Sequence, residues 1–178
     1  MQKIRRWEIA GLLFTLIFGT LLHFFYQWSG NLWQVGILAP VNESSWEHLK
    51  LLFTPLLLFS IAEYFAFGRN IRGFVPIKVM SVLLAMSAVL ILFYTYTGIV
   101  GTNFLTADIL TFILAVFLAY WYSCRHLTAK ENQSNAEILC AWAALAILLI
   151  CFVLFTFCPP HIGLFLDPVS GTYGILRG

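Results

Sequence analysis

The sequence carries little charge for its length. Asp, Glu, Lys and Arg make up 10% of its 178 residues, against about 25% in an ordinary soluble domain. The ten basic residues exceed the eight acidic ones by only two and stand in short, scattered clusters. Such a chain lacks the polar shell of a water-soluble protein, and it has no extended basic face for a nucleic acid backbone. We therefore predict no nucleic acid partner.

Several chemical signatures are also missing. The four cysteines contain no Cys-x-x-Cys pair and none stands beside a histidine at zinc-finger spacing, so we interpret them as small apolar helix residues. The zinc-protease pattern His-Glu-x-x-His is absent. There is no internal repeat and no low-complexity tract. These absences favour one domain over residues 1–178.

The sequence does contain several long apolar segments. It is 61% hydrophobic, with a mean hydropathy of +0.88, and a helix needs about 20 apolar residues to cross a membrane. The predicted fold is an all-α, polytopic transmembrane bundle of about five helices, with Pro55 kinking the second. Ser44-x-x-Glu47 and Ser134-x-x-Glu137 predict capping boxes at two helix starts. The predicted spans are residues 7–28, 44–67, 74–98, 104–123 and 135–157, followed by an external tail at 158–178.

Loop charges predict the orientation. The N-terminus carries Lys3, Arg5 and Arg6, and the loops after the second and fourth spans are also basic, through Arg69, Arg72, Lys78, Arg125 and Lys130. The alternate loops, near 29–43 and 99–103, contain no Lys or Arg. By the positive-inside rule the N-terminus is cytoplasmic, and after five crossings the C-terminal tail lies outside.

This topology gathers the rare polar residues at the outer end. His23 closes the first span, Glu43, Ser44 and His48 open the second, and Asp108 lies one turn into the fourth. His161 and Asp167 follow in the tail, whose Asp-Pro and Ser-Gly turns predict that it folds back over the outer mouth. The apolar loop at 31–40 is a candidate for an interfacial or inserted lid.

Two interpretations of these residues stay open. Glu43 and Glu47 suit a helix N-terminus electrostatically, with Lys50 as the partner of Glu47. Equally, ionisable groups inside a membrane mark functional sites. On the second interpretation, His23, His48, His161 and Asp167 are candidate ligands of a zinc ion, and Glu43, Ser44 and Asp108 are candidate catalytic residues.

The leading functional hypothesis is a membrane-embedded, zinc-dependent hydrolase that acts on a lipid or amphiphile at the outer leaflet. One alternative is a small oligomeric transporter that uses Pro55, Glu63 and Tyr64 as a polar path; otherwise Glu63 is expected to pair with a nearby Arg. The other alternative is a sensory or assembly protein.

The segment Pro40-Val-Asn-Glu-Ser-Ser-Trp-Glu-His-Leu-Lys50, together with the tail motifs Pro159-Pro160-His161, Asp167-Pro168 and Tyr173-Gly174, resembles a family of small bacterial integral membrane proteins of unknown function. The resemblance covers nearly the whole chain and implies a bacterial inner-membrane location without an activity. Ser44-x-x-x-His48 is also similar to an element of the alkaline ceramidase and adiponectin-receptor hydrolases, where it helps to build a zinc site.

Overall fold

Five helices of the protein are long and apolar enough to cross a membrane. The computed structural model describes residues 1–129 and 133–175, and the five-span prediction is confirmed. Lys130 and the tail end at 176–178 lie outside the described residues. The helices are α1 (Gln2–Trp28), α2 (Trp33–Gly36), α3 (Ser45–His48), α4 (Lys50–Ala66), α5 (Phe74–Val100), α6 (Leu105–Ala129) and α7 (Asn135–Phe157), of which α3 and α4 together form the second span.

Helix boundaries differ from the predicted spans mainly at the polar flanks. The first helix begins at Gln2 and the fourth span continues to Ala129, because backbone hydrogen bonding does not stop where the apolar stretch does. The second span is tightened at Leu49, where Leu49 N bonds Trp46 O at 3.1 Å and Leu52 N bonds Leu49 O at 3.2 Å. These bonds have the three-residue spacing of a 3₁₀ turn. The helix then runs through Pro55 to Ala66.

One capping box is complete and the other is not. Ser134 Oγ accepts from Glu137 N, and the Glu137 carboxylate accepts from Ser134 N at 2.7 Å, as predicted. At the second span Ser44 Oγ accepts from Glu47 N at 3.3 Å, but the Glu47 carboxylate accepts from Val41 N. The predicted reciprocal bond to Ser44 is wrong, because Asn42 Oδ1 already accepts from Ser44 N at 2.9 Å.

Small residues let the helices approach closely. A Cβ added at Gly19 of α1 would lie 2.5 Å from the carbonyl oxygen of Leu51. Pro55 lacks the N–H that would otherwise bond this carbonyl within the helix. This close approach therefore fixes α1 against the N-terminal half of the second span. The main apolar core is built from Leu49, Leu52, Phe53, Leu56, Val82, Ala85, Met86, Ala115, Val116, Ala119, Tyr120 and Phe152.

The loop after α1 and the C-terminal tail cover the same end of the bundle. Thr54 Oγ1 donates to Leu38 O at 2.7 Å, so the loop reaches inward beside the second span. In the tail, Phe165 is buried between the rings of Trp46 and Phe155, and Leu164 O accepts from Trp46 N. The predicted fold-back of the tail over this end is confirmed.

Candidate metal centre

Three of the predicted site residues converge at this end of the bundle. The Nε2 atom of His23 lies 3.7 Å from Glu43 Oε1, and the Nε2 atom of His48 lies 3.4 Å from Glu43 Oε2. One ligand atom from each residue can be chosen so that all three lie within 4.8 Å of one another. His23 comes from α1, His48 from α3, and Glu43 from the loop just before α3.

The spacing is compatible with a shared ion. Both separations exceed the 2.7–3.2 Å of an N–H···O hydrogen bond. Ligand atoms about 2.1 Å from a tetrahedral zinc ion lie about 3.4 Å apart. Two imidazoles and one carboxylate are also a donor set that catalytic zinc uses. His23, Glu43 and His48 could therefore hold a divalent cation.

His48 is oriented by its own helix turn. Its Nδ1 donates to the carbonyl oxygen of Ser44 at 3.0 Å, and its Nε2 faces Glu43. A backbone carbonyl on the far nitrogen is the usual way in which a metal-ligating histidine is held in one tautomer. The ring position thus follows from the Ser-x-x-x-His spacing of one helical turn.

His23 has no equivalent polar anchor. Its Nδ1 is buried and has no hydrogen-bond partner in the described part of the chain. The ring packs edge-on against Phe24 and lies 5.4 Å from the His48 ring, centroid to centroid. Packing of α1 against the second span therefore sets its position.

The Glu43 loop is held from the tail. Asn42 Nδ2 donates to Gly174 O at 3.0 Å, while its Oδ1 accepts from Ser44 N. Gly174 has a positive φ of 66° and lies so close to Thr156 O that a Cβ would approach within 2.8 Å. The tail thus packs closely against the end of α7, and the hydrogen bond from Asn42 to Gly174 fixes the Glu43 loop to the tail.

A buried ion pair, Glu47 with Lys50, lies next to the Glu43 loop and His48. Lys50 Nζ donates to Glu47 Oε2 at 2.7 Å, to Gly36 O at 2.7 Å and to Thr156 Oγ1 at 2.6 Å. Lys50 and Glu47 are 0% and 2% exposed. The predicted Glu47–Lys50 pairing is confirmed, and it joins α2, the second span and α7 in one hydrogen-bonded network.

Four other predicted site residues have separate partners. Ser44 is buried and its hydroxyl caps α3. Asp108 contacts the hydroxyl of Tyr96 and accepts from Asn103 Nδ2. His161 is exposed and its ring lies 4.5 Å from that of Tyr173. Asp167 accepts from Val169 N and Ser170 Oγ in a tail turn. None of these four belongs to the group, found among the described residues, that could hold a metal ion.

A second polar cluster, not predicted from the sequence, lies at the opposite end of the bundle. Glu63 pairs with Lys78 at 2.5 Å, so the expected pairing with an Arg is wrong. Glu8 pairs with the same Lys78 Nζ at 2.8 Å. The available signal was an acid inside the first apolar helix and a lysine inside the third, each of which is costly in a membrane unless partnered.

Together these features define a class: a multi-pass helical membrane protein whose polar residues form one half-exposed cluster at one end and buried ion pairs at both ends. The chain belongs to a family of unknown function, DUF6512, which it matches over residues 1–175. No curated protein and no solved structure is significantly similar to it.

Proposed function

We propose that the protein is a divalent-metal-dependent hydrolase that acts on a lipid or another amphiphile at the outer surface of the bacterial inner membrane. The convergence of His23, Glu43 and His48 carries the proposal. Zinc is the expected metal because its catalytic sites use histidine and glutamate ligands and keep a position open. The match of Ser44-x-x-x-His48 to an element of the ceramidase-like hydrolases is in keeping with this.

The depth of the cluster suits a lipid substrate. The 27 residues of α1 extend about 40 Å at 1.5 Å per residue, longer than a hydrocarbon core of about 30 Å. His23 lies five residues before the end of that helix at Trp28, about 7.5 Å along the axis. This depth corresponds to the boundary between acyl chains and headgroups, where the ester and phosphate groups of lipids lie.

The site is reachable from outside the bundle. The His23, Glu43 and His48 side chains are 32%, 42% and 33% exposed. When bound, a divalent cation supplies Lewis acidity and makes water a nucleophile near neutral pH. His23, Glu43 and His48 would hold it with three ligands, and the Ser44 carbonyl would keep His48 in its metal-binding tautomer. Three protein ligands would leave a coordination position for water or substrate.

The proposed outward orientation of the site is inferred from the basic residues at the opposite end of the bundle. There Lys3 Nζ donates to Ala66 O, and Arg72 donates to Asn135 Oδ1 at the start of α7. Basic residues from the N-terminus and from the loop after α4 thus share one end. By the positive-inside rule that end is cytoplasmic, so the cluster of His23, Glu43 and His48 faces out.

A hydrolysis assay in proteoliposomes tests the proposal. Purified protein is given phospholipids, ceramides and acyl esters, with zinc, with a chelator, and with zinc restored. We expect release of an acid or headgroup that the chelator stops and zinc restores, and that Glu43→Gln abolishes. Glu137→Gln, which alters an exposed cap residue, is the matched control and should keep full activity. Release unaffected by both chelator and Glu43→Gln, or none from any substrate class, contradicts the proposal.

A further inference from the structure

The cluster at the other end of the bundle contains two carboxylates and one ammonium group. Lys78 Nζ lies 2.8 Å from Glu8 Oε1 and 2.5 Å from Glu63 Oε2. Ser123 Oγ donates to Glu8 Oε1 at 2.7 Å. Glu8, Glu63, Lys78 and Ser123 are 2%, 0%, 6% and 1% exposed. They come from the first four spans, so this buried group links most of the bundle.

The charges of this group do not balance. If both glutamates are ionised, the cluster carries a net charge of −1 away from water, and an uncompensated charge buried in a membrane protein is strongly unfavourable. The Glu47–Lys50 pair at the other end shows the contrast. There one carboxylate meets one ammonium, and both Glu47 oxygens accept hydrogen bonds.

Oxygen atoms in the cluster also lack donors. Glu8 Oε2 and Glu63 Oε1 are buried and accept no hydrogen bond from any described residue. Two carboxyl groups that contact one nitrogen lie within a few ångströms of each other, and like charges this close favour retention of one proton between them. A single bound proton would both supply the missing positive charge and give an unpartnered carboxylate oxygen a hydrogen to share.

Among the described residues, no cation besides Lys78 forms an ion pair with Glu8 or Glu63. Arg5, also on α1, is the other basic residue whose charge acts on this region, at Cys124. From α6, the Tyr120 ring lies 5.5 Å from Lys78 Nζ, and its hydroxyl shares a 2.9 Å hydrogen bond with Thr15 of α1. Cys124 follows Ser123 on α6, and the ring of Phe74 lies 5.7 Å from Lys78 Nζ. Tyr120, Cys124 and Phe74 are neutral, so none of them balances the second carboxylate.

We propose that Glu8 and Glu63 form a proton-binding site that holds one proton at neutral pH. Lys78 compensates one carboxylate and the bound proton neutralises the other. The site is separate from the candidate metal site at the other end of the bundle and independent of the proposed hydrolysis. Paired intramembrane carboxylates of this kind serve as stations in proton relays, and this pair lies near the cytoplasmic end of the bundle.

Infrared spectroscopy of the purified full-length protein in lipid nanodiscs tests the site. The carbonyl stretch of a protonated carboxyl group is separated from carboxylate absorption and moves in deuterated water. We expect a buried carboxyl band in the wild type at pH 7, which is lost in Glu63→Gln and in Glu8→Gln, since either change leaves one carboxylate for one ammonium. Asp108→Asn and Glu137→Gln are the controls and should keep the band.

The unfolding temperature gives a second readout. A proton held only by the folded state stabilises it, and this stability is lost as rising pH removes the proton. The wild type should therefore lose thermal stability at alkaline pH, whereas Glu63→Gln and Glu8→Gln should lose markedly less. Absence of the band in the wild type, or its survival in both glutamine variants, would overturn the proposal. So would an unfolding temperature that depends on sodium concentration instead of pH, because that would show a bound metal cation in place of the proton.

Discussion

The Nδ1 atom of His48 donates to the carbonyl oxygen of Ser44 at 3.0 Å. The Ser44 hydroxyl has a different task, since it accepts from Glu47 N at the start of α3. The carbonyl thus orients a metal ligand while the hydroxyl caps a helix. This division separates two roles for Ser44 that the sequence alone leaves open, as catalytic residue and as helix cap.

Replacing Ser44 by Ala should lower stability without removing activity. Loss of an N-cap costs about 1 kcal/mol, and the backbone carbonyl that holds His48 remains. Ser134→Ala, which removes the cap of α7, is the matched control and should cost a similar amount. The measurements are the unfolding temperature and the rate of substrate release. A Ser44→Ala variant that is stable but inactive would instead make the hydroxyl catalytic.

The Lys50→Met variant should be severely destabilised. Lys50 is fully buried and binds Glu47, Gly36 and Thr156. Removing it leaves the Glu47 carboxylate buried without a cation, at a cost of about 3–5 kcal/mol. Arg6→Met, which alters an exposed basic residue, should change stability by no more than about 0.5 kcal/mol. Unfolding in detergent compares the two, and equal effects would show that the network contributes nothing.

Gly19→Ala should weaken both the fold and the metal site. Its new Cβ would meet Leu51 O at 2.5 Å, and such overpacking costs about 1–3 kcal/mol. Because His23 lies one turn further along α1 and is held by packing, displacement of the helix should also reduce metal affinity. Gly98→Ala meets nothing within 4 Å and is the control. Unchanged metal affinity in a destabilised Gly19→Ala variant would contradict the coupling.

The predicted orientation can be checked by cysteine labelling. In a variant without the four native cysteines, Val169→Cys introduces a thiol at a tail position that is 81% exposed. We expect a membrane-impermeant maleimide to label it in intact spheroplasts, whereas Gln2→Cys should be labelled only after lysis. The reverse pattern would place the metal cluster on the cytoplasmic side.

Much of the architecture was predictable from the sequence, for a simple reason. Spans of apolar residues identify transmembrane helices, and the end of one span lies at the same side of the membrane as the start of the next. The end of the first span and the start of the second therefore share one end of the bundle, which is why His23, Glu43 and His48 were predicted there together with the other polar residues. The role of Glu43 was predicted as catalytic, whereas the geometry groups it with the two histidines as a possible ligand.

The rest depended on features that hydropathy does not record. Where the tail places His161 and Asp167 depends on particular bonds, such as those of Asn42 to Gly174 and of Trp46 to Leu164. The rotation of each helix about its axis is also hidden when most of its faces are apolar. Glu8 and Lys78 could be recognised as unusual, but their shared contact could not be read from the pattern.

The most direct test of the account is the metal content of the purified protein after equilibrium with zinc. We predict one zinc ion per chain in the wild type and in His161→Ala, and loss of that ion in His48→Ala and Glu43→Gln, with weaker binding in His23→Ala. Zinc that stays bound in His48→Ala and Glu43→Gln, or a wild-type protein that binds none, would contradict the central claim that these three residues form a metal site.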